Sequence, residues 1–426
     1  MSAERKKHTI CLLNDSFPPV IDGVANAVLN YADIIHRRYG RAMVVTPSVP
    51  GAEDGGYAFP VVRYPSIDTR KLVGYVAGTP FSPQTALRVE REGTELLHVH
   101  SPVVSAILAR QLRQALDLPM VLTYHTKFDI DVANAVRGKL LQKEVLAALL
   151  QNVNACDEVW TVSRGAGENL RSIGYEGDCV VMSNGVDLPR GVSSRGEIAE
   201  ATGSYDLPEG VPVFLFVGRL MWYKGLRIIL DALATLKEKN VPFRMVFIGG
   251  GGDEREVRAY AEKLRLNGAC CFTGPVRERE TLRAWYSRAD LFLFPSTFDT
   301  NGLVVREAAA CQLAAVMIAG SCAAEGVTDG QNGFLIEESA ASLAAKLETL
   351  CAAPEAMARV GKAAGEELYL SWEDAVARAA ERYEIVIDGY RSGRYPKKHG
   401  LQDRFLKATG DLMEVMGRIA ALHPAE

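Results

Sequence analysis

Two carboxylates and a glycine lie close together in the segment Phe298-Asp-Thr-Asn-Gly-Leu-Val-Val-Arg-Glu307. Asp299 and Glu307 are eight positions apart, and an apolar run over 290–296 predicts a buried parallel strand just before them. The pattern then predicts a helix that begins at Gly302. Because the first backbone N–H groups of a helix have no intrahelical partner, they can hold phosphate. The segment therefore predicts a site for a phosphorylated, hydroxyl-rich ligand. A purely structural alternative is that Asp299 caps the helix and Glu307 is a solvated helix carboxylate.

Two cations follow another apolar strand, predicted over 211–217. This strand ends in Gly218, Arg219 follows directly, and Lys224 comes just before the next helix. Two cations at a strand-to-helix junction can neutralise phosphates as they depart. A solvated basic pair in a surface loop is the alternative interpretation.

Three further features lie at predicted strand ends. Gly23, in the first loop, would let the backbone approach a diphosphate or an acceptor closely, although plain turn chemistry also accounts for a glycine there. The glycine run over 249–252 lacks the ending of a P-loop and predicts a tight turn. His125 could hydrogen-bond a sugar hydroxyl or assist a leaving group, or be an ordinary polar loop histidine.

The elements that must position these residues alternate between short apolar strands and amphipathic helices. This alternation predicts parallel sheets covered on both faces, in two doubly wound α/β domains. We predict domains over 1–195 and 211–370, a linker over 196–210, a helix over 371–390 that packs on the first domain, and an amphipathic helical extension over 391–426. In such sheets ligands bind at the carboxyl ends of the strands, so the site is expected in a cleft between the two domains.

Length and charge set limits on the function. The chain has 426 residues, enough for two cores, and its 48 Lys and Arg against 52 Asp and Glu give a formal charge of −4. This balance argues against nucleic acid as a partner. Scattered cysteines, no signal sequence and no long apolar run predict a cytoplasmic protein with reduced thiols. Cations and a helix dipole can supply the charge compensation that a leaving phosphate needs, so no metal site is predicted.

Taken together, the motifs resemble the GT-B glycosyltransferases, and among them the large retaining family that uses nucleotide sugars, family four. The likeness covers residues 8 to about 390, and its most specific part lies between Phe216 and Ile336. It includes Phe-Val-Gly-Arg-Leu, the Lys224-Gly225 pair, the glycine run, Phe294-Pro-Ser and the Asp299 to Glu307 segment. The resemblance implies two Rossmann-like domains that face each other across a deep cleft, with the acceptor at the first domain and the nucleotide sugar at the second.

The resemblance also implies a role for each candidate residue. Arg219 and Lys224 would hold the nucleotide diphosphate, and Glu307 would bind the ribose hydroxyls. His125 and Asp299 would contact the donor sugar. The remaining donor-binding positions that it implies are Gly23, Gly218, Val276, Gly302, and the backbone amides of Leu303 and Val304.

One position departs from the family pattern. The family usually has Glu where Asp299 stands, and the shorter side chain puts the donor-sugar preference in question. The N-terminal segment Ser16-Phe-Pro-Pro-Val-Ile-Asp-Gly-Val-Ala-Asn-Ala-Val28 is most similar to relatives that glycosylate membrane lipids, though this subfamily likeness is weaker than the family one.

The reaction implied is transfer of a hexose from a nucleotide diphosphate sugar, in the first instance a UDP-sugar, to a hydroxyl of a lipid, glycan or glycolipid. The resemblance favours retention by front-face attack without a metal or any permanently bound cofactor. A sugar-nucleotide epimerase of the same fold and a non-catalytic partner of a glycosyltransferase stay open as alternatives. The extension over 391–426 could dock on the first domain, form a dimer contact or lie on the inner face of a membrane.

Overall fold

The computed structural model describes residues 7–20, 22–69, 76–80, 82–396 and 408. Within it the chain forms two compact units. The first unit contains the described residues up to Ser183 and those from Trp372 onward, and the second runs from Asn184 to Ser371. Most of the predicted extension over 391–426 lies outside the described residues.

The first unit contains a seven-stranded sheet whose strand pairs are all parallel. Its strands are β1 (His8–Leu13), β2 (Gly40–Pro47), β3 (Val61–Tyr64), β6 (Leu96–Val99), β7 (Met120–Tyr124), β8 (Glu158–Thr161) and β9 (Cys179–Val181). A separate antiparallel pair joins β4 (Ser66–Ile67) to β5 (Ala77–Gly78). The order across the large sheet is β3-β2-β1-β6-β7-β8-β9, so the strand order reverses between β1 and β6, where such sheets bind ligands.

The second unit contains a six-stranded parallel sheet with the order β12-β11-β10-β13-β14-β15. Its strands are β10 (Val213–Val217), β11 (Arg244–Ile248), β12 (Cys270–Gly274), β13 (Leu291–Phe294), β14 (Ala315–Ile318) and β15 (Phe334–Ile336). Every residue of β10 and β13 is buried, as expected for strands covered on both faces. Here the strand order reverses between β10 and β13.

Helices connect the strands of both sheets. In the first unit they are α1 (Gly23–Ile34), α2 (Pro83–Arg91), α3 (Val104–Leu116), α4 (Phe128–Ala135), α5 (Lys139–Asn154) and α6 (Arg164–Ser172). The second unit contains α7 (Arg195–Thr202), α8 (Leu226–Glu238), α9 (Glu254–Lys263), α10 (Arg279–Arg288), α11 (Leu303–Ala310), α12 (Ala340–Cys351) and α13 (Pro354–Glu367). The last helix, α14 (Trp372–Arg391), belongs to the first unit again. No helix in the described part of the chain has both the length and the apolar character needed to cross a membrane.

These observations confirm the predicted α/β class with two doubly wound, Rossmann-like sheets. Two details differ from the sequence-based expectation. The first boundary falls after Ser183, not at residue 195, and part of the stretch predicted as a linker over 196–210 forms α7. A capping box begins this helix, since Ser194 Oγ accepts from the Glu197 amide and Glu197 Oε2 accepts from the Ser194 amide. Such a local cap can start a helix within a segment whose overall composition resembles a loop.

Helix α14 makes several polar and aromatic contacts within the first unit. Arg382 donates two hydrogen bonds to Glu158, at 2.8 and 2.7 Å. The ring of Trp372 lies edge-on to Tyr31, with 6.0 Å between centroids. The hydroxyl of Tyr383 is 2.6 Å from His98 Nδ1.

Candidate functional site

The loop after β10 rests on the glycine run after β11. The Leu220 amide donates to the Gly250 carbonyl at 3.0 Å. A Cβ on Gly249 would lie 1.9 Å from the Gly218 carbonyl oxygen, and one on Gly251 would lie 2.5 Å from the Leu220 oxygen. Since only glycine allows this approach of two backbones, the run forms the predicted tight turn and supports the loop that carries the first cation.

The two predicted cations lie near one aromatic ring. Arg219 Cζ is 6.0 Å from the centroid of the Tyr223 ring, and Lys224 Nζ is 5.8 Å from it. Their surroundings differ, because Arg219 is exposed and Lys224 is buried. The structure therefore brings both predicted cations to one junction, one of them open to solvent and one enclosed.

Lys224 is paired with the first of the two carboxylates. Its ammonium donates to Asp299 Oδ1, and Ser296 Oγ donates to Asp299 Oδ2 at 2.6 Å. The N-cap of α11 is Gly302, so Asp299 does not cap this helix as the structural alternative required. A carboxylate held at both oxygens has a fixed position, and an ammonium with three donors keeps further N–H groups for another acceptor.

The start of α11 depends on a glycine in a left-handed conformation. Gly302 has φ +58°, and a Cβ there would lie 2.9 Å from the Cβ of Ala323. No side chain among the described residues caps this end of the helix. The amides of Leu303 and Val304, at the first two positions of α11, are thus placed where the helix dipole favours an anion.

Glu307, one turn into α11, is held by two partners. Tyr286 donates its hydroxyl hydrogen to Glu307 Oε2 at 3.0 Å, and Arg279 Nη1 lies 3.3 Å from Glu307 Oε1. Arg279 also donates to Asp187 Oδ2 at 2.5 Å. A carboxylate with about four acceptor positions retains capacity for ligand hydroxyls after these two contacts.

Burial affects the charge state of this acid. Burial raises the pKa of Glu307, and the charge of Arg279 together with the hydrogen bond from Tyr286 opposes that rise. The pKa of Tyr286 lies well above its ordinary value, chiefly because the phenol is buried and beside the same carboxylate. The phenol therefore stays protonated and acts as a donor to Glu307.

Another of the donor-binding positions that the resemblance implies lies at the end of β12. Val276, two residues beyond β12, is partly buried and packs on the core of the second unit. Nearby in the sequence, the Phe272 ring stacks on Phe247 at 4.7 Å, and Arg258 Cζ lies 4.6 Å from the Phe272 centroid.

The first unit contains the other two predicted site residues. His125 follows β7 directly and is 7% exposed. Gly23 is the first residue of α1. Asp22 caps this helix, because its Oδ1 accepts hydrogen bonds from the Val24 and Ala25 amides at 2.9 and 2.8 Å. A Cβ on Gly23 would meet nothing within 4 Å, so packing does not require a glycine at this position.

Several contacts of the site carry no signal in the sequence. Tyr286 and Arg279 on α10 and His100 next to His125 were not predicted, and Ser296, part of the Phe294-Pro-Ser motif after β13, was not predicted to hold Asp299. Each of them contacts a predicted residue only because the fold brings distant parts of the chain together. Neither the spacing nor the composition of the sequence indicates such a contact. Among the described residues, no group of three or more His, Cys, Asp or Glu side chains is arranged to hold a metal ion.

Known families match both halves of the chain. Residues 21–190 match the model described as Glycosyltransferase Family 4, and residues 197–367 match the model described as Glycosyl transferases group 1. Three curated relatives are similar in sequence. The sulfoquinovosyl transferase SQD2 of Arabidopsis thaliana is 26% identical over 86% of this chain and 71% of its own. A GDP-mannose-dependent alpha-mannosyltransferase of Corynebacterium glutamicum is 26% identical over 77% and 76%. The alpha-monoglucosyldiacylglycerol synthase of Streptococcus pneumoniae is 22% identical over 71% and 69%.

The fold also matches solved structures. The Anabaena protein HepE, solved with UDP-glucose, superposes with a TM-score of 0.70 at 18% identity, over 88% of this chain and 99% of that one. The fold and the matched motifs define the chain as a GT-B glycosyltransferase, an enzyme that transfers a sugar from a nucleotide sugar. It belongs to glycosyltransferase family 4, the glycosyl transferases group 1.

Proposed function

We propose that this enzyme transfers a hexose from a UDP-sugar to a hydroxyl of a membrane lipid or glycolipid, with retention of the anomeric configuration and without a metal. The observation that carries the proposal is the cluster at the carboxyl edge of the second sheet. There Lys224 pairs with Asp299 just before α11, whose start no described side chain caps, and Glu307 lies one turn inside this helix. A soluble glycan is the alternative acceptor.

The cluster has separate groups for the two ends of a nucleotide diphosphate. The proposed seat for the distal phosphate is the pair of amides at Leu303 and Val304, together with Lys224 and Arg219. Glu307, with its oxygens fixed by Tyr286 and Arg279, would accept hydrogen bonds from the ribose. Val276 would flank the base, and Gly218 and Gly302 would let the backbone approach the diphosphate.

Two residues are proposed to contact the donor sugar. Asp299 would accept a hydrogen bond from a sugar hydroxyl while it keeps the hydrogen bond from Ser296. Its short side chain would set the preference among hexoses. His125 is the second residue proposed to contact the donor sugar. Gly23, where the structure leaves space beside the backbone, would admit the diphosphate or the acceptor.

In the proposed step the leaving phosphate takes the proton of the acceptor hydroxyl as the new glycosidic bond forms on the same face. The enzyme must stabilise the negative charge that develops on the leaving phosphate. A buried ammonium, an exposed guanidinium and the dipole of α11 supply that stabilisation, so no divalent cation is needed for it.

The choice of donor and acceptor rests on similarity. HepE was solved with UDP-glucose, which supports UDP, whereas the GDP-mannose-dependent relative makes the base a point to test. The name of the alpha-monoglucosyldiacylglycerol synthase supports a lipid acceptor and peripheral contact with a membrane. All eight cysteines are free, which supports a reducing, cytoplasmic location.

A panel of UDP- and GDP-sugars would test the proposal, with release of nucleoside diphosphate as the readout. Each donor would be offered with diacylglycerol vesicles, with a soluble glycan and with no acceptor, in the presence and absence of EDTA. We expect release with one UDP-hexose, dependent on vesicles and unaffected by EDTA. NMR of the product should show the anomeric configuration of the donor. Release that needs only the glycan, or that EDTA abolishes, would contradict the corresponding part of the proposal.

A further inference from the structure

Arg279 is shared between two carboxylates of the second unit. It is the first residue of α10, and its side chain is exposed. Its Nη2 donates to Asp187 Oδ2 at 2.5 Å, whereas its Nη1 lies 3.3 Å from Glu307 Oε1. A cation at the start of a helix lies at the positive end of the helix dipole, so these carboxylates offset an unfavourable position. Asp187 makes the shorter, and therefore the stronger, of the two contacts.

The backbone on both sides of Asp187 is anchored. Its neighbours Val186 and Leu188 are 5% and 1% exposed and belong to the core of the second unit. The Val186 amide also donates to the Leu370 carbonyl at 3.0 Å. Asp187 itself is exposed. The chain therefore presents this carboxylate to Arg279 from a fixed stretch of backbone.

The contact between Arg279 and Glu307 is weaker than such a pair can make. A guanidinium often binds one carboxylate with two N–H groups, one for each oxygen. That pairing would shorten the contact at Glu307 Oε1 and add a second donor at Oε2, where Tyr286 already donates at 3.0 Å. Three donors would then occupy a carboxylate that has about four acceptor positions. Because one arm of Arg279 is bound to Asp187, only its other arm reaches Glu307.

The charges around Glu307 are consistent with an acid that is only partly neutralised. Burial has the largest effect on its pKa and raises it, the charge of Arg279 and the hydrogen bond from Tyr286 lower it, and the charge of Asp187 raises it. The remaining titratable neighbour is Cys311 at the end of α11. Burial raises the pKa of this thiol to about 12, so it carries no charge at neutral pH.

We propose that Asp187 is a positioning residue that holds one arm of Arg279, prevents a two-armed pairing with Glu307, and so keeps Glu307 open to the ribose hydroxyls. The ribose contact rests on the proposed function, whereas the restraint on Arg279 does not. The same restraint would favour a nucleotide that has ribose hydroxyls over an analogue that lacks them.

NMR titration of the ligand-free full chain, labelled with ¹³C-glutamate, tests the restraint without any nucleotide. A Glu307→Gln variant identifies the carboxyl signal of Glu307. Asp187→Asn and Asp187→Ala remove the same charge, but only Asn keeps an oxygen that accepts from Arg279. If Ala releases Arg279 onto Glu307, the pKa of Glu307 should be lower in Asp187→Ala than in Asp187→Asn. An equal or higher pKa in Asp187→Ala would overturn the inference.

Calorimetry with UDP at pH 8 tests the consequence for binding. Asp187→Ala should weaken the affinity about tenfold, and Asp187→Asn should weaken it much less. Affinity for 2′,3′-dideoxy-UDP, which offers no ribose hydroxyl, should be the same in Asp187→Ala and the parent. Asp206→Ala is the matched control, because it also removes a carboxylate that accepts from an arginine, Arg244 Nη2 at 2.7 Å, and it should change neither affinity.

A second substitution separates positioning from a general structural role. Arg279→Met in the Asp187→Ala background should restore most of the UDP affinity, because no guanidinium is left to cover Glu307. Absence of this rescue would overturn the inference.

Glu307→Gln separates the inference from the proposed function. Weaker UDP binding in Glu307→Gln together with parental binding in Asp187→Ala would overturn the inference and leave the ribose contact standing. Parental binding in Glu307→Gln would contradict the ribose contact, whereas the lower pKa in Asp187→Ala would still sustain the restraint on Arg279.

Discussion

Tyr286 donates a hydrogen bond to Glu307 Oε2 at 3.0 Å from a side chain with no exposed surface. The phenol comes from α10 and the acid from α11, so the packing of two helices fixes one oxygen of the acid proposed to bind ribose. A group held in this way loses little freedom when a ligand binds, and this preorganisation favours affinity.

Tyr286→Phe should weaken the binding of nucleoside diphosphate by about tenfold, the usual effect of one lost hydrogen bond to a charged group. Titration calorimetry provides the measurement. Tyr260→Phe is the matched control, because it also removes a phenol that donates to a carboxylate, that of Asp231 at 2.7 Å. Equal affinities in both variants and the parent would show that the orientation of Glu307 does not matter for binding.

Glu307→Gln should weaken nucleotide binding without lowering the stability of the protein at pH 7. Burial raises the pKa of Glu307 above 4.5, so the folded state binds the proton more tightly than the unfolded chain. The contribution of this acid to the free energy of unfolding is then largest below pH 4.5 and falls as the pH rises through the folded pKa. At pH 7 Gln removes that cost, and we expect a melting temperature no lower than that of the parent.

Nucleotide affinity should increase with pH, because the ionised carboxylate of Glu307 is the form that accepts hydrogen bonds from two ribose hydroxyls. In the parent, affinity should decline as the pH falls through the raised pKa of Glu307. In the Glu307→Gln variant the affinity should be weak and should not decline as the pH falls. Calorimetry between pH 5 and pH 8 compares them, and a step of equal size in both proteins would assign the pH dependence to another group.

Lys224→Met and Arg219→Met should each lower kcat by more than about a hundredfold, since each removes a charge that stabilises the departing phosphate. Met retains the apolar stem, which matters because Lys224 is buried. Arg227→Met is the control, for this exposed cation on α8 packs over Trp222 at 4.9 Å. Near-parental rates in the first two variants would contradict the assignment of Lys224 and Arg219 to the phosphate site.

Asp299→Asn should depress transfer far more than nucleotide binding, because the proposed contact is with the sugar. Asp299→Glu should change the relative rates among donors, by about 1–3 kcal/mol in transition-state free energy. Both changes also disturb the pairing with Lys224, so nucleotide affinity is measured alongside. Unchanged relative rates across UDP-hexoses would mean that Asp299 only orients Lys224.

Gly225→Ala should destabilise the second unit by at least about 2 kcal/mol. An alanine in the left-handed conformation is strained, and its Cβ would also clash with the neighbouring backbone. Gly225 has φ +78°, and its Cβ would lie 2.0 Å from the Pro295 oxygen. Gly268→Ala, where a Cβ meets nothing within 4 Å, is the control. Urea unfolding of both variants measures the difference, and equal midpoints would contradict the close packing of the two loops.

The sequence predicts the architecture well because its signals are local. The apolar runs over 211–217 and 290–296 contain the strands β10 and β13, since a buried strand is marked by its own residues. The strands β4 and β5 were missed, because two residues each give too little pattern. Partners such as Tyr286 and His100 could not be predicted at all, since they depend on which helices and strands become neighbours.

Helix α14 returns to the first unit after the second unit has been completed. During synthesis, the segment from Asn184 to Ser371 therefore leaves the ribosome as one uninterrupted stretch, while the earlier sheet still lacks its last helix. Until α14 is made, Tyr31 and His98 have no Trp372 or Tyr383 to pack against. A nonsense mutation shortly before residue 372 would thus damage the half of the enzyme that is encoded furthest from it.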